Sequence, residues 1–257
     1  MSRIGLILRR VRDLFFPRKC GCCSSLLDWY DTEERHDVFC DSCRKKWEDS
    51  LLDTCEICAK TVTACACVTE TMKKAKCRAF RKLVYYRHGK ADAVQNRLIF
   101  HIKHTRDSET PIFLARQMLP ALYDLQKECG AVREQMYLTF LPRGNAAKLE
   151  YGVDQAEELA RALSVLSGIP LKKLIMRRRG KNKQQKKLSF DERIRNANAS
   201  FRLARRAELS GKTVFLVDDI VTTGAGMAAC TRLLRKAGAK NVYCLAAASD
   251  DANREQI

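Results

Sequence analysis

Leu216-Val217-Asp218-Asp219-Ile220-Val221-Thr222-Thr223-Gly224-Ala225-Gly226-Met227 is the densest chemistry in the chain. It follows Thr213-Val214-Phe215-Leu216-Val217, an almost wholly apolar run of the kind that forms a parallel strand covered on both faces. Two carboxylates therefore leave the end of a buried strand, and a Thr-Thr-Gly-Ala-Gly turn leads into a helix. In open α/β sheets ligands bind beyond the carboxyl ends of strands, and a helix N-terminus offers free N–H groups and partial positive charge to a phosphate. Gly224 and Gly226 let backbone approach closely, Thr222 and Thr223 add hydroxyl donors, and Asp218 and Asp219 are placed to accept from vicinal sugar hydroxyls. Helix capping alone needs one short acceptor, whereas this segment brings two acids, two threonines and two glycines together.

Outward from this loop, Met227, Cys230, Leu234 and Ala237 repeat at helical spacing, Gly238 stops the helix, and Asn241-Val242-Tyr243-Cys244-Leu245 supplies another strand. Upstream, Tyr137-Leu138-Thr139-Phe140-Leu141 reads as a strand, and Val153, Ala156, Ala160 and Leu163 line a helix face that ends at Gly168. Residues 92–130 read as helical, with Thr110 as N-cap, Pro111 in the first turn, Pro120 as a kink and Gly130 as a stop. The β-α-β rhythm implies a mostly parallel α/β sheet with flanking helices.

The composition changes after Cys77. Before it, Cys20 and Cys23, Cys40 and Cys43, Cys55 and Cys58, and Cys65 and Cys67 form four close pairs. A Cys-x-x-Cys knuckle aims two sulfurs at one ion from a single turn, and two knuckles complete the tetrahedral Cys₄ set that structural Zn²⁺ prefers. Sequential pairing gives two ribbons, Cys20, Cys23, Cys40, Cys43 and then Cys55, Cys58, Cys65, Cys67, and an interleaved cross-brace also satisfies the spacing. Cys65-Ala66-Cys67 lacks one spacer residue, so Cys77 is an alternative ligand there, as Cys22 is for Cys23. Cys129, Cys230 and Cys244 lie in apolar patterns and read as core. Two structural zincs, a small domain over 1–77 and a larger α/β domain over 78–257 follow.

The chain of 257 residues carries a formal charge of +18, beyond what solubility requires, which points to an anionic partner such as nucleic acid, a phosphorylated metabolite or an anionic membrane surface. Thirteen cysteines, an odd number in short pairs, suit metal ligation in a reducing compartment, so a cytoplasmic protein is expected. No stretch approaches the roughly 18 apolar residues of a membrane span. The apolar and basic segment Ile4 to Phe16 is expected to form a helix docked on its own domain. The segment Lys172 to Lys187 is rich in lysine and arginine and has no acid, which as a surface loop would keep it self-repelling and flexible.

The run of apolar residues, Asp-Asp, an apolar residue, any residue and Thr-Thr-Gly resembles the phosphoribosyl pyrophosphate signature of type I phosphoribosyltransferases. With the cysteine ribbons ahead of it, the chain resembles the ComF family, a double zinc ribbon before a phosphoribosyltransferase domain associated with competence. Lys103 in RLIFHIKHTRD, and Gln185, Leu188, Arg193 and Asn196 in QKKLSFDERIRNANASF, are similar to further family segments. Where the family commonly has Arg-Gly-Phe-Asn-Gln, this chain reads Tyr151-Gly152-Val153-Asp154-Gln155. The resemblance implies phosphoribosyl pyrophosphate and Mg²⁺ as ligands, with Asp218 and Asp219 catalytic and Thr222, Thr223, Gly224, Ala225 and Gly226 on the 5′-phosphate. It implies Arg143, Lys148, Arg177, Arg178, Arg179, Lys181, Lys183 and Gln185 around the pyrophosphate, on its loop or on a mobile loop that closes over it. Pentosyl transfer is the activity so implied. The alternative is a non-catalytic binder of the same ligand and of single-stranded DNA, and a third reading is a scaffold for a helicase-like protein of DNA uptake or a membrane partner.

Overall fold

The structure, a computed structural model, describes residues 15, 17–27, 38–104, 109–144, 152, 154–178, 190–204 and 208–250. The helix expected over Ile4 to Phe16 lies outside the described residues except at Phe15. In chain order the elements are α1 (Asp41–Leu51), α2 (Glu70–Lys74), β1 (Phe80–Tyr86), α3 (Val94–His104) and α4 (Glu109–Cys129). There follow β2 (Met136–Phe140), α5 (Gln155–Ser167), β3 (Ile175–Arg177), α6 (Phe190–Ser200), β4 (Phe201–Leu203), β5 (Thr213–Val221), α7 (Ala225–Lys236) and β6 (Asn241–Asp250).

Four strands pair in the order β1-β6-β5-β2, all parallel. Both faces of such a sheet must be covered, because each parallel connection lays a helix on one of them. The side chains divide accordingly. On β5 and β6, Phe215, Val217, Tyr243 and Leu245 enter one apolar cluster with α4 and α5, while Val214, Leu216, Val242, Cys244 and Ala246 enter a second with α7. That alternation explains why the run before Asp218 is apolar at every position. Against the edge of β2, Leu138 bridges Leu171, its N–H donating to the Pro170 carbonyl at 3.0 Å.

The structure lengthens two expected strands and adds three. Pairing of β5 with β6 continues past Val217 through Asp218↔Ala246 to Val221↔Ser249. β1, at the sheet edge, was not expected. The basic segment begins as a strand, with β3 pairing antiparallel to β4 and Arg177 opposite Phe201. Thr110 is not the N-cap of its helix: α4 starts at Glu109, and the Thr110 hydroxyl lies 3.2 Å from His101 Nδ1. Pro120 lies inside α4.

The apolar core runs on across residue 77. Cys20, Cys22, Val38, Phe39, Cys43 and Trp47 share a cluster with Leu98 of α3 and Leu114 of α4. Phe39, Trp47 and Phe113 form an aromatic triangle with centroids 5.2 to 5.8 Å apart, joining α1 to α4. No helix among the described residues is long and apolar enough to cross a membrane.

Candidate phosphate loop and metal centres

Beyond Val221 the chain turns through Thr222 and Thr223 to Gly224, which caps α7 at φ +70°, in the left-handed region. Glycine is required there twice over. L-residues avoid that conformation, and a methyl group at Gly224 would come within 2.7 Å of Thr69 Oγ1 and 3.0 Å of Met72 Sδ. The Thr223 hydroxyl accepts from the Ala225 N–H at 3.4 Å, and the Gly224 carbonyl takes the Ala228 N–H at 2.8 Å. The first-turn N–H groups at Gly226 and Met227 precede any helical acceptor, which leaves the end of α7 suited to an anion.

Asp218 and Asp219 stand within the last turns of β5. Asp218 is buried, and its carboxylate accepts the Asp219 N–H at 2.9 Å. Burial first, then the neighbouring Asp219 charge, hold its carboxyl well above the usual range. Asp219 pairs with the Arg143 guanidinium at 2.5 Å, and the Arg143 N–H donates to the buried Asp154 carboxylate at 3.1 Å. Asp154 is a site residue that sequence reading passed over as part of a divergent motif. Its short side chain immediately before a helix was the available signal.

Of the expected site residues, Asp218, Asp219, Thr222 to Gly226 and Arg143 gather at the carboxyl ends of β5 and β2. Arg177 is the last residue of β3 and Arg178 follows it directly. Arg177 stacks over the Phe201 ring at 5.3 Å and packs against Gly144, where an added Cβ would sit 3.6 Å from its Nε. Arg178 is tied to β4, its N–H donating to the Ser200 carbonyl at 2.8 Å and its Nε to that of Phe201 at 3.2 Å. Lys148, Arg179, Lys181, Lys183, Gln185 and Leu188 lie outside the described residues, as do the side chains of Lys103 and Arg193.

The cysteines form two quartets, Cys20, Cys23, Cys40, Cys43 and Cys55, Cys58, Cys65, Cys67, each with its sulfurs within 4.8 Å of one another. A tetrahedral ion with bonds of about 2.3 Å needs sulfurs about 3.8 Å apart, so either quartet could hold a metal ion. The pairing is sequential rather than cross-braced. Cys22 and Cys77 stand aside, the first donating to the Val94 carbonyl and the second to that of Ala79, each at 3.3 Å.

The two knuckles are built alike. Ser24 and Ala59, each following the second cysteine of its pair, adopt left-handed backbone at φ 61° and 54°. Their N–H groups return to the Cys20 and Cys55 carbonyls at 2.9 and 2.8 Å. A hydrogen bond from the Cys22 thiol holds Cys20 down to about 3. Burial raises Cys55, yet the Cys58 and Ile57 N–H groups outweigh it and bring this thiol down to about 6. Paired carboxylates at Asp218 and Asp219 are hard donors of the kind Mg²⁺ takes, but among the described residues no third carboxylate joins them. Two carboxylates alone do not make a protein cage for that ion, which asks for six oxygen ligands.

Residues 149–257 match the family model of the phosphoribosyl transferase domain. Competence protein F of Haemophilus influenzae is 35% identical over 92 residues, which are 35% of this chain and 40% of that protein. DNA utilization protein YhgH of Salmonella typhi is 29% identical over 150 residues, 58% of this chain and 65% of that protein. The chain thus spans 40% and 65% of the lengths of these relatives. Among solved structures, L. donovani hypoxanthine-guanine phosphoribosyl transferase is 13% identical, covering 54% of this chain and 67% of its own with a TM-score of 0.36. Residues 149–257 are therefore similar to a phosphoribosyl transferase domain, two metal-competent cysteine quartets precede them in the chain, and the chain has relatives named Competence protein F and DNA utilization protein YhgH.

Proposed function

We propose that the carboxyl ends of β2 and β5 and the start of α7 bind phosphoribosyl pyrophosphate with Mg²⁺ and transfer its phosphoribosyl group to an acceptor. The observation that carries this reading is the adjacency of two carboxylates on β5 to a left-handed glycine that opens α7. In this reading the N–H groups of Ala225, Gly226 and Met227 and the Thr222 and Thr223 hydroxyls hold the 5′-phosphate. Asp218 and Asp219 accept from the ribose hydroxyls. As the bond between the anomeric carbon and pyrophosphate breaks, positive charge grows on the sugar and negative charge on the leaving group. Asp219 is near enough to favour the first, and Arg143 to favour the second.

Arg143 holds one oxygen of Asp219, and pyrophosphate drawing the guanidinium across would free that oxygen for ribose. Mg²⁺ arriving with the substrate would supply charge neutralisation, and Asp218 and Asp219 are the carboxylates that would lie beside it. Lys148, Arg179, Lys181, Lys183 and Gln185 are assigned to the pyrophosphate by resemblance alone. Calorimetry with phosphoribosyl pyrophosphate and Mg²⁺ tests the binding on wild type and on the Asp218→Asn, Asp219→Asn pair. Micromolar binding by wild type, lost in the variant, is expected; equal binding by both or none by either would sink the reading. Pyrophosphate release in a screen of acceptors tests the transfer.

A second reading is favoured by the charge of +18 and by the names of the relatives. The protein would bind the same ligand without turnover and contact single-stranded DNA during uptake in the cytoplasm, alongside a helicase-like partner. Contacts to phosphates release counterions, with a salt slope of about −0.7 per contact on single strands. Affinity that does not fall with salt would remove this reading.

A further inference from the structure

The second cysteine quartet stands where the ribbon meets both the sheet edge and the phosphate loop. On the sheet side is Lys82, in the middle of β1 and only 4% exposed. An ammonium taken out of water costs several kcal/mol unless an anion answers it (about this scale per ion after relaxation). Among the described residues no carboxylate forms an ion pair with it, although Glu56 and Asp250, the latter paired with His88, line the same cavity. Lys82 Nζ donates to Cys65 Sγ at 3.2 Å and lies 5.2 and 5.7 Å from the ring centroids of Phe80 and Tyr85. A neutral thiol is a weak acceptor and no counter-ion. Four thiolates around a divalent ion keep a double negative charge, which answers the buried cation.

Lys82 has company. The Arg81 guanidinium donates to the Ala64 carbonyl at 2.5 Å, and Arg87, the residue after β1, pairs with Asp53 at 2.6 Å. Lys82 therefore reaches one sulfur of the quartet directly, while Arg81 and Arg87 grip the turns on either side of it.

On the loop side, Thr69 follows Cys67 by two residues. Its hydroxyl caps α2, accepting the Met72 N–H at 3.3 Å, and both side chains are buried. These are the atoms against which Gly224 is pressed. A continuous path runs from β1 through the quartet and Thr69 to the residue that opens α7.

We propose that Lys82 is a positioning residue for a metal ion in the second quartet, and that the loaded quartet seats the phosphate loop through Thr69. Metal occupancy there then sets the affinity of the loop for a phosphorylated sugar. That last consequence rests on the ligand proposed above; the positioning and the seating do not. Donors to ligand atoms change metal affinity by about 10- to 100-fold when removed from well-formed sites.

The test uses the full chain loaded with Co²⁺, as wild type, Lys82→Met and Lys82→Arg. Chelator-driven release from wild type is expected in two phases, one per quartet. Lys82→Met should speed one phase by about 10-fold or more and shift the matching thiolate-to-cobalt absorption, leaving the other phase alone. Lys82→Arg, which keeps a cation and N–H donors, should stay near wild type. Amide hydrogen exchange over residues 222–226 should rise in Lys82→Met and in wild type stripped of both metals, and reloading should reverse it. Unchanged release and absorption in Lys82→Met would overturn the positioning role. Unchanged exchange at 222–226 after stripping would overturn the seating, and needs no variant that folds. Calorimetry with phosphoribosyl pyrophosphate should then show weaker binding by the stripped protein. If loaded wild type binds none, the proposed function fails, while release and exchange still decide this inference.

Discussion

At Asp218, a residue proposed to bind ligand, burial of a carboxyl opposes stability. Its carboxyl is buried beside Asp219 and held above the usual range, so ionising it costs the folded state more than the unfolded one. The stability of its protonated form is complete below the value of an unfolded aspartate, about 3.9, and is lost as pH rises through the raised folded value. Asp218→Asn is therefore expected to match wild type at pH below about 4 and to gain on it as pH rises. The gain should reach about 1 kcal/mol, or about 2–4 °C in Tm for a chain of this size, while phosphoribosyl pyrophosphate binding is lost. Thermal melts of both proteins across pH 4 to 8 check the sign. Left-handed positions behave in opposite ways. Ala59→Gly should relieve about 1 kcal/mol of backbone strain in its knuckle. Gly224→Ala should cost about 1–2 kcal/mol from backbone alone and also displace the loop from Thr69. Denaturant unfolding of the two variants tests this contrast.

At the scale of elements, legibility followed how local each signal was. The quartets were legible because knuckle spacing is a local property, and geometry was needed to choose sequential pairing over a cross-brace, Cys23 over Cys22, and Cys65 with Cys67 over Cys77. β5 was legible up to Val217. Its continuation was not, because Asp218 and Asp219 break the apolar pattern while β6 goes on pairing with them. β1 escaped notice for a different reason: Arg81 and Lys82 interrupt its apolar run, and the partners that allow their burial lie in the ribbon and in a strand about 160 residues away. β3 was hidden in the basic run, since Arg177 lies across an aromatic ring and so does not read as part of an apolar face. Phe113→Ala tests a packing claim at this scale. Removing one edge of the aromatic triangle between α1 and α4 should cost about 3 kcal/mol, near the low end for a buried phenylalanine because Phe113 is only partly covered. The measurement is urea unfolding at constant m.

For the whole molecule, a core that continues across residue 77 ties the metal sites to the sheet. Stripping both quartets of metal should therefore lower the thermal midpoint of the entire chain in one transition, and not leave a separate melt of 78–257 at its original temperature. Calorimetric scans with and without a chelator distinguish the two outcomes. The strand order has a consequence for the chain as it is synthesised. Among the described strands β1 is made first and pairs only with β6, which is made last, so on the ribosome it waits through the making of every element between them. An exposed edge rich in Leu, Val and Tyr invites aggregation during that interval. The turns that grip β1 come from residues 53–67, which emerge before it, so the ribbon can shelter the strand until its distant partner is made.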